Sequence, residues 1–314
     1  MLDIVIVNWN AGPLLAECVR SIGEARQDGF SLGKIVIVDN ASTDGSLESA
    51  LAASPGNGPV EAVRNDVNRG FGRACNQGAA NSKADFLLFL NPDTRLFAES
   101  LSRPMAYLAD PANASVGVCG IQLLNEDGSV SRTCARAPTP GSMAAAALGL
   151  DRARPRLGYM MRDWDHAEGR DVDHVIGAFY LVRRSAFAAA GGFDESFFVY
   201  LEDLDLSLRL KRSGWRCHYL ASASAYHKGG GTSEKVRAHR LAYSLESRLR
   251  YASKHLSQGP AIGIALLTLT AEPFLRLALA ASELSLARAA ETIGGYALLA
   301  ASLGRSVLRK AFRD

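Results

Sequence analysis

Within the first ninety-three residues, four short apolar runs are each followed by asparagine or aspartate: residues 4–7 before Asn8-Trp9-Asn10, 35–38 before Asp39-Asn40, 60–63 just before Asn65-Asp66, and 86–90 before Asn91-Pro92-Asp93. Longer mixed segments separate them, which is the pattern of strands joined through crossover helices in a parallel sheet. Leu14, Leu15, Cys18, Val19 and Ile22 recur at helical spacing, and residues 72–82 are expected to form a second helix. In open α/β sheets ligands bind beyond the carboxyl ends of the strands. The four polar endings should therefore share one crevice.

From about Val116 the rhythm shortens. The sequence predicts a Pro/Arg-rich loop near residues 136–156, strands at 175–182 and 217–220, a helix over 202–212, a hinge at Gly229-Gly230-Gly231, and helices from 236 to the end. The expected division is 1–235 for an α/β catalytic domain, with a nucleotide-binding half to about 115 and an acceptor half over 116–235, then a helical region over 236–314. At 314 residues and 48% hydrophobic the chain can bury a large core. A net charge of +3 with interspersed signs excludes the basic stripe of a nucleic-acid binder. Five cysteines without a CxxC pair argue against a disulfide framework or a zinc site, and the absence of a leader pattern before the first strand predicts a cytoplasmic protein.

Five places could carry chemistry. Asp39, at a strand end, could accept the imide N–H of a uracil or thymine ring, whereas Ser42, Thr43 and Asp44 beside it suit a helix cap equally well. Asn8, Asn10 and Asn40 belong to the same crevice. Arg69-Gly70-Phe71-Gly72-Arg73 opens a helix, so its backbone N–H groups, Arg69 and Arg73 could hold a diphosphate; a plain loop-to-helix turn is the alternative. Asn91 and Asp93 follow the buried fourth strand, where a carboxylate could hold Mg²⁺ or Mn²⁺ across two phosphates. Glu202-Asp203-Leu204-Asp205 places three carboxylates at a helix start, more than capping needs, and one could deprotonate a sugar hydroxyl. His227, beside the glycine run, could complete a metal site as that loop closes.

Taken together, Val5-Ile6-Val7-Asn8-Trp9-Asn10, residues 38–46, Asn68-Arg69-Gly70-Phe71-Gly72, Leu90-Asn91-Pro92-Asp93, Gly191-Gly192-Phe193-Asp194-Glu195 and Glu202-Asp203-Leu204-Asp205-Leu206 resemble the family 2 glycosyltransferases of GT-A fold, in particular the rhamnosyltransferase-like branch. The resemblance spans about residues 2–255. It implies a mixed, mainly parallel sheet flanked by helices with a C-terminal helical appendix, and an inverting, metal-dependent sugar transfer. It further implies that Asp39 binds the pyrimidine, Asp93 and His227 the metal, and that Asp203 or Glu202 is the base. The familiar Asp-x-Asp metal motif is here Asn91-Pro92-Asp93, with one carboxylate. The implied donor is dTDP-rhamnose, with UDP-sugars open, and the implied acceptor is a bacterial glycan or lipid-linked sugar.

Two other readings share parts of this pattern. A nucleotide-sugar pyrophosphorylase resembles its relatives in a Gly-rich basic loop after the first strand, where this chain has Asn8-Trp9-Asn10-Ala11-Gly12-Pro13; an inactive sugar-binding module would not need the Glu202-Asp203 pair. Residues 261–271 are apolar but half the roughly 20 residues a membrane span needs, and Glu272, Pro273 and Arg276 are expected to interrupt them. Eight basic residues, Arg313 among them, against four acidic ones over 250–314 suggest a peripheral anchor on the inner face of an anionic membrane, with an intramolecular helical cap or a dimer interface as the alternatives.

Overall fold

The structure, a computed structural model, describes residues 1–53, 56, 58–229 and 236–311. Gly230, Gly231 and Arg313 lie outside the described residues. In chain order the strands are β1 (Leu2–Asn8), β2 (Leu32–Asp39), β3 (Val60–Arg64), β4 (Phe86–Leu90), β5 (Thr94–Leu96), β6 (Val116–Leu124), β7 (Val130–Ser131), β8 (Arg170–Val172), β9 (Phe179–Arg183) and β10 (Arg216–His227). The helices are α1 (Pro13–Glu24), α2 (Ser46–Ala52), α3 (Phe71–Ala79), α4 (Ser102–Ala109), α5 (Pro140–Ala147), α6 (Leu150–Ala153), α7 (Arg184–Ala189), α8 (Glu202–Arg212), α9 (Arg237–His255), α10 (Gln258–Leu266), α11 (Glu272–Ser282) and α12 (Leu286–Ala311).

Two compact units emerge. The first comprises Met1–Ala137, Met160–Phe198 and Glu202–Thr232, and holds one mixed sheet of order β3-β2-β1-β4-β9-β6-β10-β5. β3, β2, β1 and β4 run parallel, as the crossover pattern predicts, while β9 lies antiparallel between β4 and β6. Period-two alternation sends Ile4, Ile6, Ile35 and Ile37 to one face with Leu15, Cys18 and Ile22 of α1, and Val5, Val7, Val36 and Val38 to the other with Ala74 and Cys75 of α3. Both faces are covered, so residues 4–7 of β1 and 35–38 of β2 are apolar without a break. α3 packs closely because Gly78 has no side chain: a Cβ there would lie 2.5 Å from Val5 Cγ1. All five cysteines are free and buried in this unit.

β10 is longer than expected. An irregularity between Leu220 and Ser224, in an Ala/Ser tract of weak strand preference, lets it continue to His227 and pair antiparallel with β5. The expected strand over 175–182 splits into a lead-in and β9.

The second unit comprises Pro138–Tyr159, Val199–Leu201 and Ser233–Asp314. The segment read as a loop near 136–156 forms α5 and α6, with Thr139 and Ser142 making a capping box at the start of α5. α9 and α12 pack on Leu241, Leu245 and Leu299, with Gly295 permitting close approach to Leu241. The expected interruption at Glu272, Pro273 and Arg276 does not occur. A π-helical turn, Leu267–Ala271, joins α10 to α11 and accommodates Pro273, while Arg248 and Arg276 neutralise the buried Glu272. Residues Gln258–Ser282 thereby form one continuous helix, long and apolar enough to cross a membrane.

Candidate active site

Parallel pairing sets Asn8 opposite Asp39 at the ends of β1 and β2. Asn8 Nδ2 donates to Asp39 Oδ1 at 2.7 Å and to Ser46 Oγ at 2.8 Å, and Ser42 N donates to Asp39 Oδ2 at 3.1 Å. Asp39 is 5% exposed, and each of its oxygens keeps a lone pair for a further donor. Asn10 takes part too: its N–H donates to Ser42 Oγ and its Oδ1 accepts from Thr43 N. The N-cap of α2 is Gly45, without a side-chain cap bond, and Asp44 before it accepts from Ser46 N and Gly12 N, tying the two loops together. Asn10 (φ 51°) and Ala41 (φ 61°) are left-handed without being glycine, a strained conformation that recurs at binding loops.

Asn40 ties this loop to the next. Its Nδ2 donates to Gly70 O at 3.2 Å and its Oδ1 accepts from Asn65 Nδ2 at 2.9 Å. Gly70 has φ 87°, and a Cβ there would lie 2.4 Å from Phe198 O, the carbonyl to which Phe71 N donates at 2.7 Å. Arg69 is exposed beside it. Arg73 is drawn elsewhere, to Glu195 at 3.5 Å. The Gly191–Glu195 motif serves packing: Asn76 clasps Phe193 by both backbone groups, and the Phe193 ring meets Phe89 edge-on at 4.9 Å.

Beyond β4, Asn91 N donates to Ala178 O, and the chain turns into β5. The pairing of β5 with β10 brings Asp93 Oδ1 and His227 Nε2 to 3.3 Å, with Asn91 Nδ2 at 3.5 Å from the same ring nitrogen. Asp93 and His227 are about nine-tenths buried. A carboxylate oxygen and an imidazole nitrogen this close fit a divalent cation whose other positions come from phosphate and water, as Mg²⁺ and Mn²⁺ sites commonly arrange. Among the described residues no group of three or more His, Cys, Asp or Glu converges.

The three carboxylates opening α8 have different surroundings. Glu202 is buried, its Oε2 has no hydrogen-bond partner, and burial, then the Asp203 charge, pushes its carboxyl well above the usual range. Asp205 is fully buried and bonded to Arg209 Nε at 2.8 Å; that guanidinium also holds the carbonyls of Ala190 and Gly192. Asp203 is partly accessible, accepting from Gly177 N at 2.7 Å and from Leu204 N at 2.8 Å. Gly177 neighbours Ala178, so Asp203 is linked to Asn91 through one short stretch of backbone. The two residues before α8, Tyr200 (φ 72°) and Leu201 (φ 64°), are both left-handed.

Three residues the sequence did not single out stand behind Asp203. His174 Nε2 lies 3.7 Å from Asp203 Oδ2, His174 Nδ1 is 3.1 Å from Ser207 Oγ, and Ser207 Oγ is 3.0 Å from Tyr180 Oη. Burial lowers the His174 pKa against the opposing pull of Asp203, so the ring is held neutral. Isolated histidine, serine and tyrosine carry no motif, and only the sheet and α8 bring them together.

A parallel half-sheet whose carboxyl ends carry an Asn/Asp crevice with Asp93, joined to a second half that supplies His227 and a helix-start carboxylate, is the GT-A arrangement. Residues 3–189 match glycosyl transferase family 2, and residues 154–294 match glycosyl transferase family group 2. The chain belongs to glycosyl transferase family 2, in its rhamnosyltransferase-like branch. It is 29% identical over 271 residues to the N-acetylglucosaminyl-diphospho-decaprenol L-rhamnosyltransferase of Mycobacterium tuberculosis, covering 81% of this chain and 85% of that one. It is 27% identical over 173 residues to the rhamnosyltransferase WbbL of Escherichia coli, covering 54% and 62%. The mannosyltransferase PcManGT of Pyrobaculum calidifontis, solved with GDP-Man and Mn²⁺, shares the fold at a TM-score of 0.55 and 19% identity, covering 95% of this chain and 79% of that one.

Proposed function

We propose that this glycosyltransferase moves L-rhamnose from dTDP-rhamnose onto a hydroxyl of a lipid-diphosphate-linked sugar, in one displacement that inverts the anomeric centre. The observation that carries the mechanism is the contrast at the start of α8: Asp203 is held by two backbone N–H donors and partly accessible, while its neighbour Glu202 is buried and kept protonated. A protonated acid cannot take the hydroxyl proton. Asp203 therefore acts as the base, accepting the acceptor proton as the oxygen bonds to the anomeric carbon and the bond from that carbon to the diphosphate oxygen breaks.

Asp39, with Asn8, Asn10 and Asn40 shaping its loop, reads the pyrimidine, and the Gly70 loop with Arg69 lies along the diphosphate. Arg73, engaged by Glu195, stands outside that role. Asp93 and His227, beside Asn91, would hold Mg²⁺ or Mn²⁺, and the cation would supply charge neutralisation to the leaving diphosphate. The names of the two rhamnosyltransferase relatives support the sugar, and that of the mycobacterial one supports the lipid-linked acceptor. Catalysis resides in the first 235 residues, and the helical region after 236 keeps the enzyme at the cytoplasmic face of the membrane.

The test is turnover with dTDP-rhamnose and a lipid-diphosphate acceptor. Asp203→Asn should lower kcat by about 10²–10⁴-fold with little change in donor affinity, and Glu202→Gln should cost far less. The reverse ranking would exchange the two roles, and full activity in both variants would refute the mechanism.

A further inference from the structure

Within the second unit, a cavity of about 640 Å³ opens among α5, α6, α9, α11 and α12. Its lining includes five arginines, Arg152, Arg237, Arg240, Arg276 and Arg288, against two carboxylates, Glu272 and Glu291, an excess of three positive charges. Arg276 is engaged by Glu272 and Arg288 by Glu283. Arg152, Arg237 and Arg240 have no ion-pair partner among the described residues, and all three are exposed. Guanidinium groups gathered around one concavity repel one another unless an anion lies between them, and their fork geometry matches phosphate oxygens.

The same cavity has an apolar edge. Leu275 and Leu279 line it, and they belong to the continuous helix Gln258–Ser282, whose most apolar stretch has a mean hydropathy of 1.6 and is only 17% buried. Leu266 and Phe274 on this helix are 58% and 72% exposed. A soluble phosphate would be served by the arginines alone. An amphiphile, with an anionic head and apolar chains, matches both the arginines and the leucine edge.

We propose that this arginine cavity is a phosphate-binding site for lipid headgroups, which docks the helical unit on an anionic membrane with the Gln258–Ser282 helix lying along the headgroup boundary. The purpose of the site rests on the lipid-linked acceptor proposed above. The unpaired cations among the described lining residues come from α6 and α9.

Flotation of the full chain with vesicles tests it. Vesicles of phosphatidylcholine with 30% phosphatidylglycerol should carry the protein, pure phosphatidylcholine should not, and binding should fall with salt. Replacing Arg152, Arg237 and Arg240 together by alanine should weaken binding by about 10²-fold, at roughly fivefold for each cation removed from an anionic surface. The corresponding triple lysine variant should retain most of it, and Phe274→Ser should weaken it independently of charge. Slow release of dTDP from dTDP-rhamnose in lipid-free buffer should be unchanged in all of these variants. Undiminished vesicle binding by the triple alanine variant would overturn the site. So would a wild-type protein that ignores anionic vesicles; a rise of its Tm with inorganic pyrophosphate that the triple alanine variant loses would then assign the cavity to a soluble anion. Absence of dTDP release from the wild type counts against the transferase reading alone and leaves the vesicle result standing.

Discussion

Burial holds the Glu202 carboxyl protonated in the folded chain, whereas in the unfolded chain it ionises near 4.5. The folded pKa is the higher of the two, so its contribution to stability is fully present below about pH 4.5 and is lost as pH rises toward the folded value. Glu202→Gln removes that loss. Its Tm should exceed the wild-type Tm at pH 7.5, by about 2–4 °C for each kcal/mol recovered, and the difference should close near pH 4. A gain that is equal at both pH values would mean packing, not ionisation, sets it. His174 acts on Asp203 from behind as a positioning residue: neutral, with one nitrogen bonded to Ser207, it limits where the carboxylate can swing. His174→Ala should lower kcat by about 10–10²-fold and leave the donor KM nearly unchanged. His174→Gln, which keeps a polar group behind Asp203, should recover part of that kcat, which a merely destabilising change would not produce.

At the scale of elements, the loop before α3 is bound by geometry at Gly70, where a left-handed φ and a backbone carbonyl 2.4 Å from any Cβ exclude every other residue. Gly70→Ala should therefore force the 69–71 loop away from residue 198. The expected outcome is a loss of about 1–3 kcal/mol in stability together with a raised donor KM, read by thermal melting and by nucleotide titration. A donor KM that stays at the wild-type value would show that this loop does not touch the diphosphate. The strands β1 to β4 and helix α8 were legible because their periodicity is local: runs of branched residues in one case, Leu206 and Leu210 four apart on one face in the other. β10 was seen only as residues 217–220, because the Ala/Ser tract after Leu220 has no strand signature and is held in place by β6 and β5. α10 and α11 looked broken at Glu272 and Pro273, since a charge and a proline interrupt any local count, and the two arginines that neutralise Glu272 come from α9 and α11.

For the whole molecule, the pairing of Asp93 with His227 across 134 residues makes the metal the most direct test of the assembled site. Chelation by EDTA should abolish transfer and added Mn²⁺ should restore it. Asp93→Ala should weaken Mn²⁺ binding in the presence of dTDP, measured by electron paramagnetic resonance; undiminished binding would remove Asp93 from the site. The sequence by itself determined the parallel half-sheet, its crevice of Asn8, Asp39, Asn40 and Asn91, and the family, because strand periodicity and strand-end residues are local properties that each motif carries intact. Only the tertiary structure divided the labour among Glu202, Asp203 and Asp205, drew Arg73 to Glu195, set His174 behind Asp203, and gathered arginines from α6, α9, α11 and α12 around one cavity. Charge state and partnership depend on burial and on neighbours distant in the chain, and no spacing along the sequence encodes either.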